Sequence, residues 1–146
     1  MIKIAVAIMA LFFTVSVNAE EKGHDHEKHE KKGPNGGEIL EVGKEVAEIE
    51  VLHNEKTGTL KIYVFKEGAK EKLLLESAPR VNLTLKEGRK QLKTKAVDGA
   101  EKSHSFSVTN ELLKGKPEIT VSLKVNGTSY SVKMHNHDEH EGHDHD

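Results

Sequence analysis

The sequence predicts an all-β fold, a β-sandwich or small barrel of about eight or nine short, mainly antiparallel strands with disordered histidine-rich ends. Three observations carry this expectation. Apolar residues alternate with polar ones along most segments between Glu38 and Met134. Glycine-containing turns recur at close intervals, and no segment has the spacing of a long amphipathic helix.

The turn cluster Gly33-Pro34-Asn35-Gly36-Gly37 opens the folded region, and residues 38–42 are a candidate strand. Ala47, Ile49 and Val51 then alternate with Glu48 and Glu50. Across the turn Asn54-Glu55-Lys56-Thr57-Gly58, Leu60, Ile62 and Val64 alternate with Lys61 and Tyr63. Pairing His53 with Gly58 sets Val51 against Leu60, Ile49 against Ile62 and Ala47 against Val64, one apolar face throughout. Residues 72–75 are a further candidate. Val81, Leu83 and Leu85 form a strand that turns at Glu87-Gly88 into one carrying Leu92, Thr94 and Ala96. Asp98-Gly99 turns into His104, Phe106 and Val108, and Thr109 caps a single helical turn through Leu113, stopped by Gly115 and Pro117. The last hairpin has the strongest signal, because Asn126-Gly127 suits the positive φ of a type I′ turn. It pairs Val125 with Thr128, Leu123 with Tyr130, Val121 with Val132 and Ile119 with Met134.

The chain divides into four zones. Residues 1–19 read as a signal peptide: Lys3, the uncharged apolar run 4–13, then Val17-Asn18-Ala19 before Glu20 and Glu21. That run is shorter than the ~20 residues of a spanning helix, so no membrane span is expected in the mature chain. Residues 20–32 form a polar leader without an apolar side chain, 33–134 the β-domain, and 135–146 a second polar tail. Cysteine is absent, so disulfides, Fe–S clusters and thiolate zinc knuckles are excluded, and export without disulfides points to a bacterial periplasmic or secreted protein.

Charge narrows the function further. From Gly33 to Met134 there are 17 Lys+Arg against 14 Asp+Glu, whereas from His135 to Asp146 five acids stand alone. A near-neutral chain without a basic stripe interleaved with aromatics is not a nucleic-acid binder. No Gly-x-Ser-x-Gly elbow, P-loop or dinucleotide fingerprint is present, so no enzyme is expected.

The histidines carry the chemistry. Eight of the ten lie in the two ends: His24, His26 and His29, then His135, His137, His140, His143 and His145. Gly23-His24-Asp25-His26-Glu27 recurs as Gly142-His143-Asp144-His145-Asp146. Imidazoles two apart along an extended chain lie on one side of it, close enough to share an ion. Neutral imidazole with interleaved carboxylates and no thiolate suits Zn²⁺, Ni²⁺, Co²⁺ or Cu²⁺. These eight are the expected metal ligands. By contrast, His53 reads as a solvated turn residue, His104 as a core histidine, and Glu48/Glu50 as a solvated strand face.

A histidine-bearing leader followed by Gly33-Pro34-Asn35-Gly36-Gly37-Glu38-Ile39-Leu40 and alternating strands resembles the N-terminal β-rich domain of periplasmic adaptor subunits of heavy-metal efflux pumps, over roughly residues 32–85. It also resembles small secreted proteins built of that domain alone. In the adaptors the turn often carries histidine where this chain has Asn35, so no ligand is carried over there, and the long coiled-coil hairpin is missing. The resemblance implies a stand-alone accessory domain in metal handling. The expected function is therefore a periplasmic metal-binding buffer, scavenger or chaperone, with a metal-efflux or other envelope protein as partner. The competing expectation is an envelope interaction module whose tails are secondary.

Overall fold

The computed structural model describes residues 31–135. The signal peptide, most of the leader and the tail beyond His135 lie outside these residues, so the expectation of disorder there does too. The described chain is all-β, with nine strands in two antiparallel sheets that are not closed into a barrel. In chain order they are β1 (Glu38–Val42), β2 (Ala47–Asn54), β3 (Thr59–Phe65), β4 (Arg80–Leu85), β5 (Gly88–Lys93), β6 (Lys95–Ala96), β7 (Ser105–Thr109), β8 (Glu118–Val125) and β9 (Thr128–Lys133). One sheet has the order β1-β2-β3-β7-β6 and the other β5-β4-β8-β9.

The core lies between the sheets. Ile49, Val51, Leu60, Ile62 and Val64 from the first meet Val81, Leu83, Ile119, Val121 and Leu123 from the second, all buried. Each set alternates with polar residues, as a sheet with one covered face requires. Burying such aliphatic side chains contributes roughly 1.5–3 kcal/mol apiece. That contribution has to hold the fold, since the chain has no cysteine to cross-link it. Among the described residues no helix is long and apolar enough to cross a membrane.

The β8–β9 hairpin forms in the expected register: Val125 faces Thr128, Leu123 faces Tyr130 and Val121 faces Val132. Asn126 and Gly127 both have positive φ, 50° and 80°. The β2–β3 register, in contrast, is displaced by two residues from expectation. Val51 faces Ile62, Ile49 faces Val64, and Asn54 closes the hairpin with Thr59. The cause is the turn. Asn54 Oδ1 accepts from the N–H groups of Lys56 and Thr57, and Gly58, at φ 67°, sits inside the loop rather than in the strand. A shift of two preserves which face is apolar.

Three weaker elements also differ from expectation. The run after β4 turns at Lys86-Glu87, not Glu87-Gly88, because Gly88 already pairs with Leu85. That run is two strands in different sheets: the chain crosses at Thr94, whose buried hydroxyl donates to the Pro79 carbonyl over 2.6 Å. Residues 72–75 make only isolated bridges, Phe65 with Lys72 and Leu75 with Ser103. The single helical turn is the 3₁₀ segment Glu111–Leu113, capped by Asn110 rather than Thr109 through Asn110 Oδ1 and the Leu112 N–H.

Candidate metal site

Both ends of the described chain reach the same place, the β1 edge. Gly33-Pro34-Asn35-Gly36 is a β-turn in which the Gly36 N–H donates to the Gly33 carbonyl over 3.0 Å. Proline presets the first central φ, and Gly36 takes φ 82° to turn the chain back. Gly33 N then bonds Gly37 O at 2.8 Å, Lys32 bridges Glu38, and Ile39 N donates to Lys31 O at 3.0 Å. The end of the leader is therefore fixed alongside β1.

A buried carboxyl group holds this turn in place. Glu50 on β2 is fully buried, and both its oxygens accept from the Asn35 N–H, at 2.8 and 2.9 Å. Gly33 packs so closely on that carboxyl group that a Cβ would overlap it. The expectation of a solvated Glu48/Glu50 face is thus corrected. Glu50 points away from the sandwich core, but the 33–37 turn covers it.

On the same side, at the edge of the facing sheet, β9 runs out through buried Met134, whose N–H donates to the Ile119 carbonyl at 2.9 Å. The next residue, His135, places Nδ1 2.9 Å from Glu38 Oε1. A carboxylate can only accept, so in this pair Nδ1 carries the proton, and in the neutral imidazole the lone pair lies on Nε2. The His135 side chain is 65 % exposed while that of Glu38 is 16 % exposed. The carboxylate thereby orients the ring, as carboxylates also do behind histidines that ligate metals in other proteins. It also joins the first strand of one sheet to the exit of the last strand of the other.

Of the eight histidines expected as ligands, only His135 falls within the described residues. His24, His26, His29, His137, His140, His143 and His145 lie outside them. Among the described residues no group of three or more His, Asp or Glu is placed to hold a metal ion. What the fold supplies is one oriented imidazole and the attachment points of both histidine-bearing ends.

The other two histidines have structural positions. His53 is a half-buried β2 residue, not a turn residue; its Nε2 lies 2.6 Å from the Leu113 carbonyl and ties the hairpin end to the 3₁₀ turn. His104 is half-buried beside Tyr63, with ring centroids 6.3 Å apart. Burial, and then the Lys72 charge, hold its imidazole below the ordinary range, with Asp98 opposing. Sequence reasoning missed both Glu50 and the Glu38–His135 pair. Glu50 is indistinguishable from Glu48 by alternation alone, and Glu38 and His135 are 97 residues apart.

No family model, curated protein or solved structure matches this chain.

Proposed function

We propose that this protein binds divalent transition-metal ions, of the class Zn²⁺, Ni²⁺, Co²⁺ or Cu²⁺, through the histidines of its two ends. It acts as a buffer, scavenger or chaperone in metal homeostasis or efflux in the bacterial periplasm, and not as an enzyme. The observation that carries the reading is His135: an exposed imidazole whose Nδ1 is engaged by Glu38, at the edge where the leader also joins the fold. The segments that carry His24, His26 and His29 and His137, His140, His143 and His145 both join the described fold next to this imidazole, at residues 31–32 and 135. Ligands pooled from two tethered segments raise each other's effective concentration, to the order of millimolar for short linkers. An envelope interaction module remains the second reading, supported by the polar outer face of the β5-β4-β8-β9 sheet.

Calorimetric titration of residues 20–146 with Zn²⁺ tests the proposal. Deleting 20–30 or 136–146 singly should each weaken the tightest site, because each removes ligands from a shared set. Replacing Glu38 by alanine should weaken it about 10- to 100-fold, the usual effect of losing a carboxylate behind a ligating histidine. Zn²⁺ binding unchanged by all three alterations would refute the proposal.

A further inference from the structure

The two sheets present outer faces of different charge. The first displays Glu41 and Glu48 against Lys61 and Lys95, a balanced set, since Glu50 is buried beneath the 33–37 turn. The second, in the register β5-β4-β8-β9, displays Arg80, Arg89, Lys93, Lys124 and Lys133 against a single acid, Glu118. Among the described residues Lys133 is the one of these five cations paired with a carboxylate, that of Glu118 at 2.7 Å.

This second face is also built as one polar surface. Arg80 donates to Gln91 Oε1 at 2.8 Å, Gln91 to Asn82 Oδ1 at 2.9 Å, and Asn82 to Ser122 Oγ at 2.8 Å. Ser122 and Ser131 close the row at 3.1 Å. The chain of hydrogen bonds crosses all four strands without an apolar interruption. At one end of it Arg80, Lys93 and Lys124 line a concavity of about 490 Å³ with Ser122 and Ser129.

We infer that this cationic face is the docking surface of the protein's own acidic segment 136–146, occupied when that segment carries no metal. Charge and connectivity single out this occupant. Residues 136–146 contain Asp138, Glu139, Glu141, Asp144 and Asp146 and no Lys or Arg. The segment leaves β9 at the Glu118 end of the same sheet. Arg80, Lys93 and Lys124 sit at the other end, about 20 Å away at ~3.3 Å per strand residue. The 11 residues of the segment, at up to about 3.3–3.6 Å each, span that distance. Individual exposed ion pairs are weak, but tethering supplies the segment at an effective concentration of millimolar order. A bound divalent ion cancels part of the segment's negative charge, so metal loading releases it from the face. The release step rests on the metal-binding reading above, whereas the docking does not.

The test is zero-length carbodiimide cross-linking of residues 20–146, metal-free at low salt, using a mixture of isotopically light and heavy chains. Cross-links from the acids of 136–146 should concentrate on Lys93 and Lys124, severalfold above Lys61 and Lys95 on the opposite sheet. They should fall severalfold in 0.5 M salt, since exposed charges are screened beyond ~3–8 Å at such ionic strength. They should also fall with Asp138, Glu139, Glu141, Asp144 and Asp146 changed to their amides. Equal labelling of the four lysines would overturn the docking, and so would cross-links joining light to heavy chains, which would give the face to a second copy. Amide NMR reads the release. On adding Zn²⁺, the resonances of Asn82, Gln91 and Ser122 should move to their positions in the protein lacking 136–146. Zn²⁺ that binds without moving them overturns the release. Salt-sensitive cross-links with no Zn²⁺ binding leave the dock standing and remove the metal-binding reading instead.

Discussion

Glu48 and Glu50 share a strand and a face, yet only Glu50 is fully buried, and the difference is made by five residues upstream of β1. The 33–37 turn offers one N–H to a carboxyl group that has no water to turn to. Glu50→Ala removes that acceptor together with a fully buried side chain beneath the turn, so it should destabilise the fold by about 1–3 kcal/mol, measured by urea unfolding. Gly33→Ala should cost about 1–3 kcal/mol through overlap with the same carboxyl group. Combined, the two substitutions should cost less than their sum, because the overlap vanishes with the carboxyl group. Strict additivity would show that the turn and Glu50 are not coupled. His104 sets a second test. Its folded-state pKa is lowered, so below about 6.5 the unfolded chain takes up the proton first. Stability is therefore unaffected by this group above about 6.5 and declines as pH falls through the lower folded value. Under a chelator, His104→Gln should flatten part of that decline; a slope identical to the parent's would contradict the assignment. Neither residue's role was legible in the sequence. Period-two alternation states which face a side chain is on, but not whether a distant loop covers that face.

At the scale of elements, local chemistry was legible wherever it alone decides the outcome. Asn126-Gly127 dictates a turn, the turn dictates the β8–β9 register, and the register was readable in full. Gly127 has φ 80°, where a Cβ is strained, so Gly127→Ala should cost about 1 kcal/mol. Its effect should show in thermal unfolding without a change in the β-rich circular dichroism. For β2–β3 the apolar face was legible but the pairing was not. Five candidate turn residues allow two closures of equal polarity, and the Asn54 side chain together with the positive φ of Gly58 selects between them. The crossing at Thr94 was illegible for a different reason. A strand that changes sheets keeps its alternation, so β5 and β6 read as one until the Pro79 carbonyl and the β7 edge are in view.

At the scale of the whole molecule, the sandwich brings together what the sequence separates. The leader's last residues lie on β1, the chain after β9 passes Met134 to reach His135, and Glu38 touches both Lys32 and His135. The composition of the two ends carries the expectation of metal-ligand chemistry; that Lys32 and His135 both reach Glu38 was not legible, because it depends on two sheets stacking with β1 and β9 at the same side. The proposed function follows from that meeting, and its chemistry has a defined pH signature. Protons and metal compete for the same imidazole nitrogens, whose unperturbed pKa is about 6.5. Sites made chiefly of carboxylates would instead hold their ions until about pH 4. The most direct test is Zn²⁺ bound to residues 20–146 as a function of pH, repeated with His135, His137, His140, His143 and His145 all changed to asparagine. The proposal predicts metal held near neutrality and released over roughly pH 5–6, with capacity strongly reduced in the substituted chain. Zn²⁺ retained well below about pH 5, or bound equally by the substituted chain, would contradict histidine as the principal ligand.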